Sequence, residues 1–310
     1  MIDIAVSKAR RREVLDCVIV GAGPAGLTAA LYLRRFHRNV RIIDAGASRA
    51  GRIPRANNIA GFPDGIAGTQ LLQRMNRHLR QVDGYVVHGT VVRIEQGPDD
   101  LFAVSLADQQ LWTRNVILCT GVVDRRPALP GFEDVAIAGL VRACPVCDGY
   151  ELTGKCIGVI GDSMQGEREA AFLQHFSQDV RLIRIAGAHC ELDVDSAAEA
   201  RVHRLPGAAQ HVAVSKDRKV FVTMDDGSGH RFDVLYTALG VDPCTQLVAA
   251  LGARLDERGN LVTDSHCRTN VSNLYAAGDV VSALDQISVA VGHAAIAATT
   301  VHNSLLPKTA

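Results

Sequence analysis

The hexapeptide Gly21-Ala22-Gly23-Pro24-Ala25-Gly26 stands between the β-branched run Asp16-Cys-Val-Ile-Val20 and a stretch, Leu27 to Arg35, whose apolar residues recur with the helical period. No other feature of the chain limits its fold so strongly. A strand that turns through glycines into a helix, followed by a second β-run, Val40-Arg-Ile-Ile43, ending at Asp44, is a βαβ unit. Each glycine has its own task in such a unit. Gly21 makes the tight turn, Gly23 lets the backbone approach a pyrophosphate, and Gly26 lets helix and strand pack closely. Phosphates then sit on the helix N-terminus, where unpaired N–H groups and the dipole favour anions. Asp44, at the end of the second strand, is placed to accept hydrogen bonds from a ribose.

Near the middle of the chain the pattern restarts. Cys156-Ile-Gly-Val-Ile160 enters Gly161-Asp-Ser-Met-Gln-Gly166, a helix is expected from about Glu167 to Phe176, and Val180-Arg-Leu-Ile183 forms the next strand. Two such units imply an α/β fold with two Rossmann-like domains of duplicated architecture. The second loop departs from the first. Ser163 holds the middle glycine position and crowds any close pyrophosphate, and Asp162 adds a negative charge to the turn. The following Arg184-Ile185-Ala186-Gly187 offers one fixed positive charge for a 2′-phosphate, unless a shifted register brings in Arg181 or His189.

Composition narrows the class further. A chain of 310 residues with 47% hydrophobic and 21% charged residues suits one large or two ordinary α/β domains. The 33 basic and 33 acidic residues cancel, which argues against a nucleic-acid partner held by bulk charge. The basic run from Lys8 to Arg12 reads as a solvated arm. Glycines and Pro24 break the apolar stretch from Val18 to Leu33, so neither a signal peptide nor a membrane span is expected, and the protein reads as cytoplasmic.

Cys144-Pro-Val-Cys147-Asp148-Gly149 is the second strong motif. A zinc knuckle needs another CxxC or paired histidines, and Cys119, Cys156, Cys190, Cys244 and Cys267 are scattered singly, so no metal is expected. In a reducing compartment a passive disulfide is also disfavoured. What remains is a redox couple, in which one cysteine attacks a disulfide and its neighbour resolves the mixed disulfide. Asp148 reads as a proton relay, as a helix N-cap, or as both.

Taken in order, these pieces resemble the low-molecular-weight thioredoxin reductases over nearly the whole chain. The matching segments are Gly21 to Gly26, the Asn58 segment leading into Gly61, Cys119-Thr120-Gly121, Cys144 to Gly149, Ala238-Leu-Gly-Val-Asp-Pro243, and Ala276-Ala-Gly-Asp-Val280 followed by Gln286. The resemblance implies an FAD-binding domain from residues 1–124 and 247–310, with a second dinucleotide-fold domain, 125–246, inserted into it and carrying the cysteine pair. It implies FAD held by Gly21, Gly23, Pro24, Ala25, Gly26, Asp44, Asn58, Thr120, Gly121, Gly278, Asp279, Gln286 and Ile287. It places Cys147 against the flavin and Cys144 as the cysteine that attacks substrate. It also implies a homodimer, a thioredoxin-like protein or a small-molecule disulfide or dithiol as partner, and a domain rotation that lets flavin and substrate take turns with the pair.

The same resemblance exposes the departures. The family carries a further glycine at the position of Ser163 and a His-Arg-Arg signature where this chain has Arg184, Ile185 and Ala186. Both argue against NADPH as the donor. Three functions are compatible with the motifs: a disulfide reductase fed by NADPH or another donor, a dithiol oxidase that passes electrons to oxygen, and a flavin-based redox sensor. Gln286 also reads as a helix start, Asn58 as a loop cap, His293 as a satisfied core or interface histidine, and Trp112 as the end of a hairpin strand leading to Val116-Ile-Leu118.

Overall fold

The computed structural model of the protein describes residues 13–161, 163–185 and 202–307. The arm from Lys8 to Arg12, Asp162, Ala186, Gly187, His189 and Cys190, all invoked above, lie outside them. The chain divides into two compact units. Within the described residues, one runs to Ile53, from Ala67 to Val122 and from Pro243 onward; the other comprises Pro54–Ile66 and Val123–Asp242. Asn58 therefore falls in the second unit.

The first unit is built on a seven-stranded sheet. Val14–Val20 lies at its centre, parallel to Val40–Asp44 on one side and to Gln110–Leu118 on the other. Val86–His88 extends the parallel part beyond Val40–Asp44. Gln110–Leu118 divides its far edge between two partners. Its first half pairs antiparallel with Phe102–Ser105, as the hairpin reading of Trp112 requires, and its last residues pair parallel with Leu274–Ala276. Cys17, Val18 and Ile19 are all fully buried, as expected for a parallel strand covered on both faces.

Two helices close on one another over this sheet. Pro24–Arg35 starts with proline at its first position, where the missing N–H costs nothing. Ile287–Ser304 follows Gln286 at its N-cap, so the helix-start reading of Gln286 holds. It buries Ala290, Ala294, Ala297, Ala298 and Val301 in the same cluster as Ala25, Ala29, Ala30 and Leu33. Small side chains at a spacing of three and four let the two backbones approach closely.

The second unit repeats the plan with a five-stranded parallel sheet. Its order is His203–Arg204, Val180–Ile183, Ile157–Ile160, Val234–Thr237, Val141–Arg142. A three-stranded antiparallel sheet, Ala209–Val214, Val220–Met224 and Gly229–Phe232, packs into the same core through Val212, Val222 and Phe232. The helix after the second glycine loop is Met164–Leu173, earlier at both ends than the periodicity suggested, because Ser163 takes the N-cap position. Among the described residues no helix is long and apolar enough to cross a membrane, and no cluster of His, Cys, Asp and Glu could hold a metal ion.

Candidate functional site

In the first unit, the glycine loop is held by close backbone contacts at its two ends. Gly21 has φ +100°, and a Cβ there would lie 2.3 Å from the Cys119 carbonyl oxygen. Two backbones therefore meet at that point, and only glycine allows it. Gly23 differs. Its backbone is extended, with φ −70° and ψ −172°, and a Cβ would meet nothing closer than Ser48 Oγ at 3.4 Å. Nothing in the protein requires glycine there. The helix that follows has no side-chain cap, so its first N–H groups are left without one to accept from them.

Asp44 ties this loop to the second strand. Its Oδ1 accepts from Ala22 N at 2.7 Å and its Oδ2 from Gly46 N at 2.8 Å. Each oxygen keeps lone-pair capacity for a ribose hydroxyl. The C-terminal segment closes on the loop at Gly278, which has φ +84° and whose Cβ would lie 3.0 Å from that of Ala25. Next to it, Asp279 Oδ2 accepts from Arg49 Nη1 at 2.9 Å, and Asp285 lies 3.5 Å from the same nitrogen. Arg49 carries no motif of its own in the sequence. Thr120 Oγ1 donates to Cys244 O at 2.6 Å, and Cys244 N donates to Gly121 O at 3.0 Å, which fixes the turn at Gly121, φ +67°. Gln286 and Ile287 are half-buried at the start of the last helix.

The loop, the helix end, Asp44 and the Gly278 turn fit a dinucleotide such as FAD, because the one glycine the protein does not need for itself is the one a pyrophosphate needs. The nearby thiols are spectators. Cys17, Cys119 and Cys267 share the buried core, and burial pushes Cys267 up to about 11 and holds the other two well above the usual thiol value. His293 is not a satisfied core histidine: its Nδ1 is buried without a hydrogen-bond partner among the described residues, and burial lowers its pKa.

In the second unit, Cys144 and Cys147 form a disulfide across the four-residue helical turn Pro145–Asp148. Cys144 is the N-cap, and Cys147 N donates to its carbonyl at 3.0 Å. Asp148 ends this turn and starts no helix, so the N-cap reading is corrected: the residue before the next turn, Tyr150–Leu152, is Gly149. The Asp148 carboxylate instead accepts from two side chains that the sequence did not single out. The Tyr236 hydroxyl donates to Oδ1, and Arg142 Nε lies 2.8 Å from Oδ2. Burial raises the Asp148 pKa above its ordinary 3.8, against the pull of Tyr236 and Arg142.

The second glycine loop keeps the packing of its first and last glycines. Gly161 and Gly166 still face each other, with Cβ atoms excluded at 2.8 and 3.0 Å. Ser163 occupies the N-cap. Glu167, in the first turn of that helix, is 8% exposed; its Oε1 accepts from Arg204 Nε at 2.6 Å, and its Oε2 is buried with no partner among the described residues. A carboxylate thus sits where an N-terminal dipole would otherwise receive a phosphate. Arg184 is exposed, while Arg181 is engaged with Asp179 at 2.8 Å and lies over the Phe232 ring.

Residues 15–294 match the pyridine nucleotide-disulphide oxidoreductase family. The chain is 28% identical to a thioredoxin reductase of Listeria innocua, over 93% of each chain. Among solved structures it resembles thioredoxin reductase from Streptococcus pyogenes, with a TM-score of 0.84 and 29% identity over 94% of this chain and 98% of that one. It is similar also to HlmI, with a TM-score of 0.85 and 28% identity over 94% of this chain and 92% of that one.

Proposed function

This chain belongs to the pyridine nucleotide-disulphide oxidoreductase family, and from that premise we propose that it is an FAD-dependent thiol/disulfide oxidoreductase. Electrons would pass between the flavin and the Cys144/Cys147 pair, and on to the disulfide of a thioredoxin-like protein or a small molecule. The observation that carries this reading is the Cys144–Cys147 disulfide itself, formed across a short turn that ends at a partly buried carboxylate. A thiolate attacks the partner sulfur of such a pair far more readily than an external one, because the turn holds both within one ring.

Gly21, Gly23, Pro24, Ala25 and Gly26, with Asp44 and the Gly278-Asp279 turn, would hold FAD; Thr120, Gly121, Gln286 and Ile287 would complete the site. When bound, FAD supplies a two-electron reservoir. Val146, inside the redox turn, is 50% exposed, and Tyr150 just beyond it is 79% exposed, which suits a partner that must reach Cys144. Relatives named thioredoxin reductase support a thioredoxin-like protein in that role.

The donor we assign is not NADPH. Ser163 at the turn, the Glu167 carboxylate in the first helical turn and the commitment of Arg181 to Asp179 all oppose a pyridine dinucleotide with a 2′-phosphate. Anaerobic stopped-flow mixing tests both parts of the proposal. Dithiothreitol or a reduced thioredoxin should bleach the flavin band in wild type and fail to do so when Cys144 and Cys147 are both serine. Sub-millimolar NADPH should bleach it only over minutes. Bleaching within milliseconds would restore NADPH as the donor.

A further inference from the structure

Two side chains from two neighbouring strands meet at Asp148, the last residue of the redox turn. Arg142 lies two residues before Cys144, on the edge strand Val141–Arg142. Tyr236 lies on the neighbouring strand, in direct register with Arg142. Asp148 follows Cys147 and reaches back to both. The Arg142 guanidinium is fixed from behind, with Nη1 donating to Gly139 O at 2.6 Å and to Val141 O at 3.0 Å. Tyr236 is fully buried, so its hydroxyl needs an internal partner, and Asp148 is that partner.

We propose that Tyr236 and Arg142 are positioning residues that hold the Asp148 carboxyl group at the end of the redox turn as the proton donor to the departing substrate sulfur. This rests on the pair exchanging with a substrate disulfide. In that step the Cys144 thiolate attacks one sulfur of the substrate; a Cys144–sulfur bond forms, the substrate S–S bond breaks, and the electron pair leaves on the second sulfur. That sulfur takes its proton from Asp148. The Cys147 thiolate then attacks Cys144 Sγ, the mixed disulfide breaks, and the second substrate sulfur leaves as a thiolate. The two electrons come from the reduced cysteine pair, which ends as the Cys144–Cys147 disulfide.

A leaving alkyl thiolate has a proton affinity like that of free cysteine, with a pKa of about 8.5, and departs slowly without a proton. A nitro-aromatic thiolate is far less basic and leaves unaided. Burial favours the protonated form of Asp148, and the two donors fix where its oxygens lie. A contact with no function would make no distinction between the two leaving groups.

The full-length protein, reduced with excess dithiol and freed of it under anaerobic conditions, is mixed in single turnover with bis(2-hydroxyethyl) disulfide or with 5,5′-dithiobis(2-nitrobenzoate). Tyr236→Phe and Arg142→Met should each slow the alkyl disulfide about tenfold, and Asp148→Asn about a hundredfold, within the usual range for a general acid. All three should react with the aromatic disulfide within about twofold of wild type, since that leaving group needs no general acid. Equal slowing on both disulfides, or no slowing on either, would overturn the proposal. Should Tyr236→Phe not fold, Arg142→Met on the edge strand carries the same comparison. Wild-type protein that reacts with neither disulfide would instead overturn the thiol/disulfide function itself.

Discussion

Gly26 lies against Gly21 backbone to backbone: a Cβ on Gly26 would fall 1.8 Å from the Gly21 carbonyl oxygen and 3.5 Å from Cys119 Cβ. No rotamer change relieves that, because the obstacle is main chain. Gly26→Ala must therefore push the first helix off the central strand. It should destabilise the protein by about 2 kcal/mol or more, the usual cost of overpacking a dense interior. Thermal melting of the apoprotein checks this; an unchanged melting temperature would refute the close packing.

Gly23 is the control for Gly26. Its extended backbone and the 3.4 Å approach to Ser48 Oγ permit a methyl group without strain. Gly23→Ala should melt within a few degrees of wild type, yet bind FAD at least about tenfold more weakly, roughly 1.4 kcal/mol. Titration of apoprotein with FAD, followed by flavin fluorescence, reads the affinity. Unchanged affinity would mean that the pyrophosphate does not approach this turn.

Cys144→Ser leaves Cys147 unpaired. If Cys147 faces the flavin, its thiolate is the electron-rich partner and should add a long-wavelength charge-transfer band to the oxidised flavin spectrum. Cys147→Ser should show none. A band seen only in Cys147→Ser would reverse the two roles.

The Glu167 carboxylate, in the first turn of Met164–Leu173, would oppose a phosphate at that helix start. Glu167→Gln removes that charge and keeps the shape, so NADPH should bind about fivefold more tightly, corresponding to about 1 kcal/mol for one charge at a helix terminus. Equilibrium dialysis with NADPH measures it. Weaker or equal binding would show that Glu167 does not control the loop.

His302 links stability to pH in the first unit. Arg38 Nε donates to His302 Nδ1 at 3.0 Å, Arg38 Nη2 donates to the His302 carbonyl at 3.2 Å, and the Phe36 ring centroid lies 4.4 Å from that of the imidazole. The arrangement needs a neutral ring, and burial followed by the Arg38 charge lowers its pKa below the ordinary 6.5. A histidine lowered in the folded state contributes stability that is present above 6.5 and is lost as pH falls through the folded value. Denaturant midpoints should therefore drop below pH 6.5 in wild type and drop less in His302→Gln. Parallel pH dependences in the two proteins would exclude His302 as the cause.

The sequence alone determined the elements whose constraints are local. Gly21, Gly23 and Gly26 are separated by two and three residues, and their turn, close approach and packing follow from that spacing; Asp44 follows from one strand and one helix. The CxxC disulfide is equally local, since one helical turn joins its ends. What only the tertiary structure decided are partners from distant parts of the chain. Arg49 meets Asp279, Glu167 meets Arg204, and Tyr236 meets Asp148. Arg49, Arg204 and Tyr236 belong to no motif, because nothing along the chain marks a side chain for a partner that the fold alone brings beside it. Tyr236 reads in sequence as one more apolar strand residue. It becomes Asp148's donor only because Val234–Thr237 lies parallel to Val141–Arg142 in one register, and a slip of a single residue would turn its hydroxyl to the opposite face of the sheet.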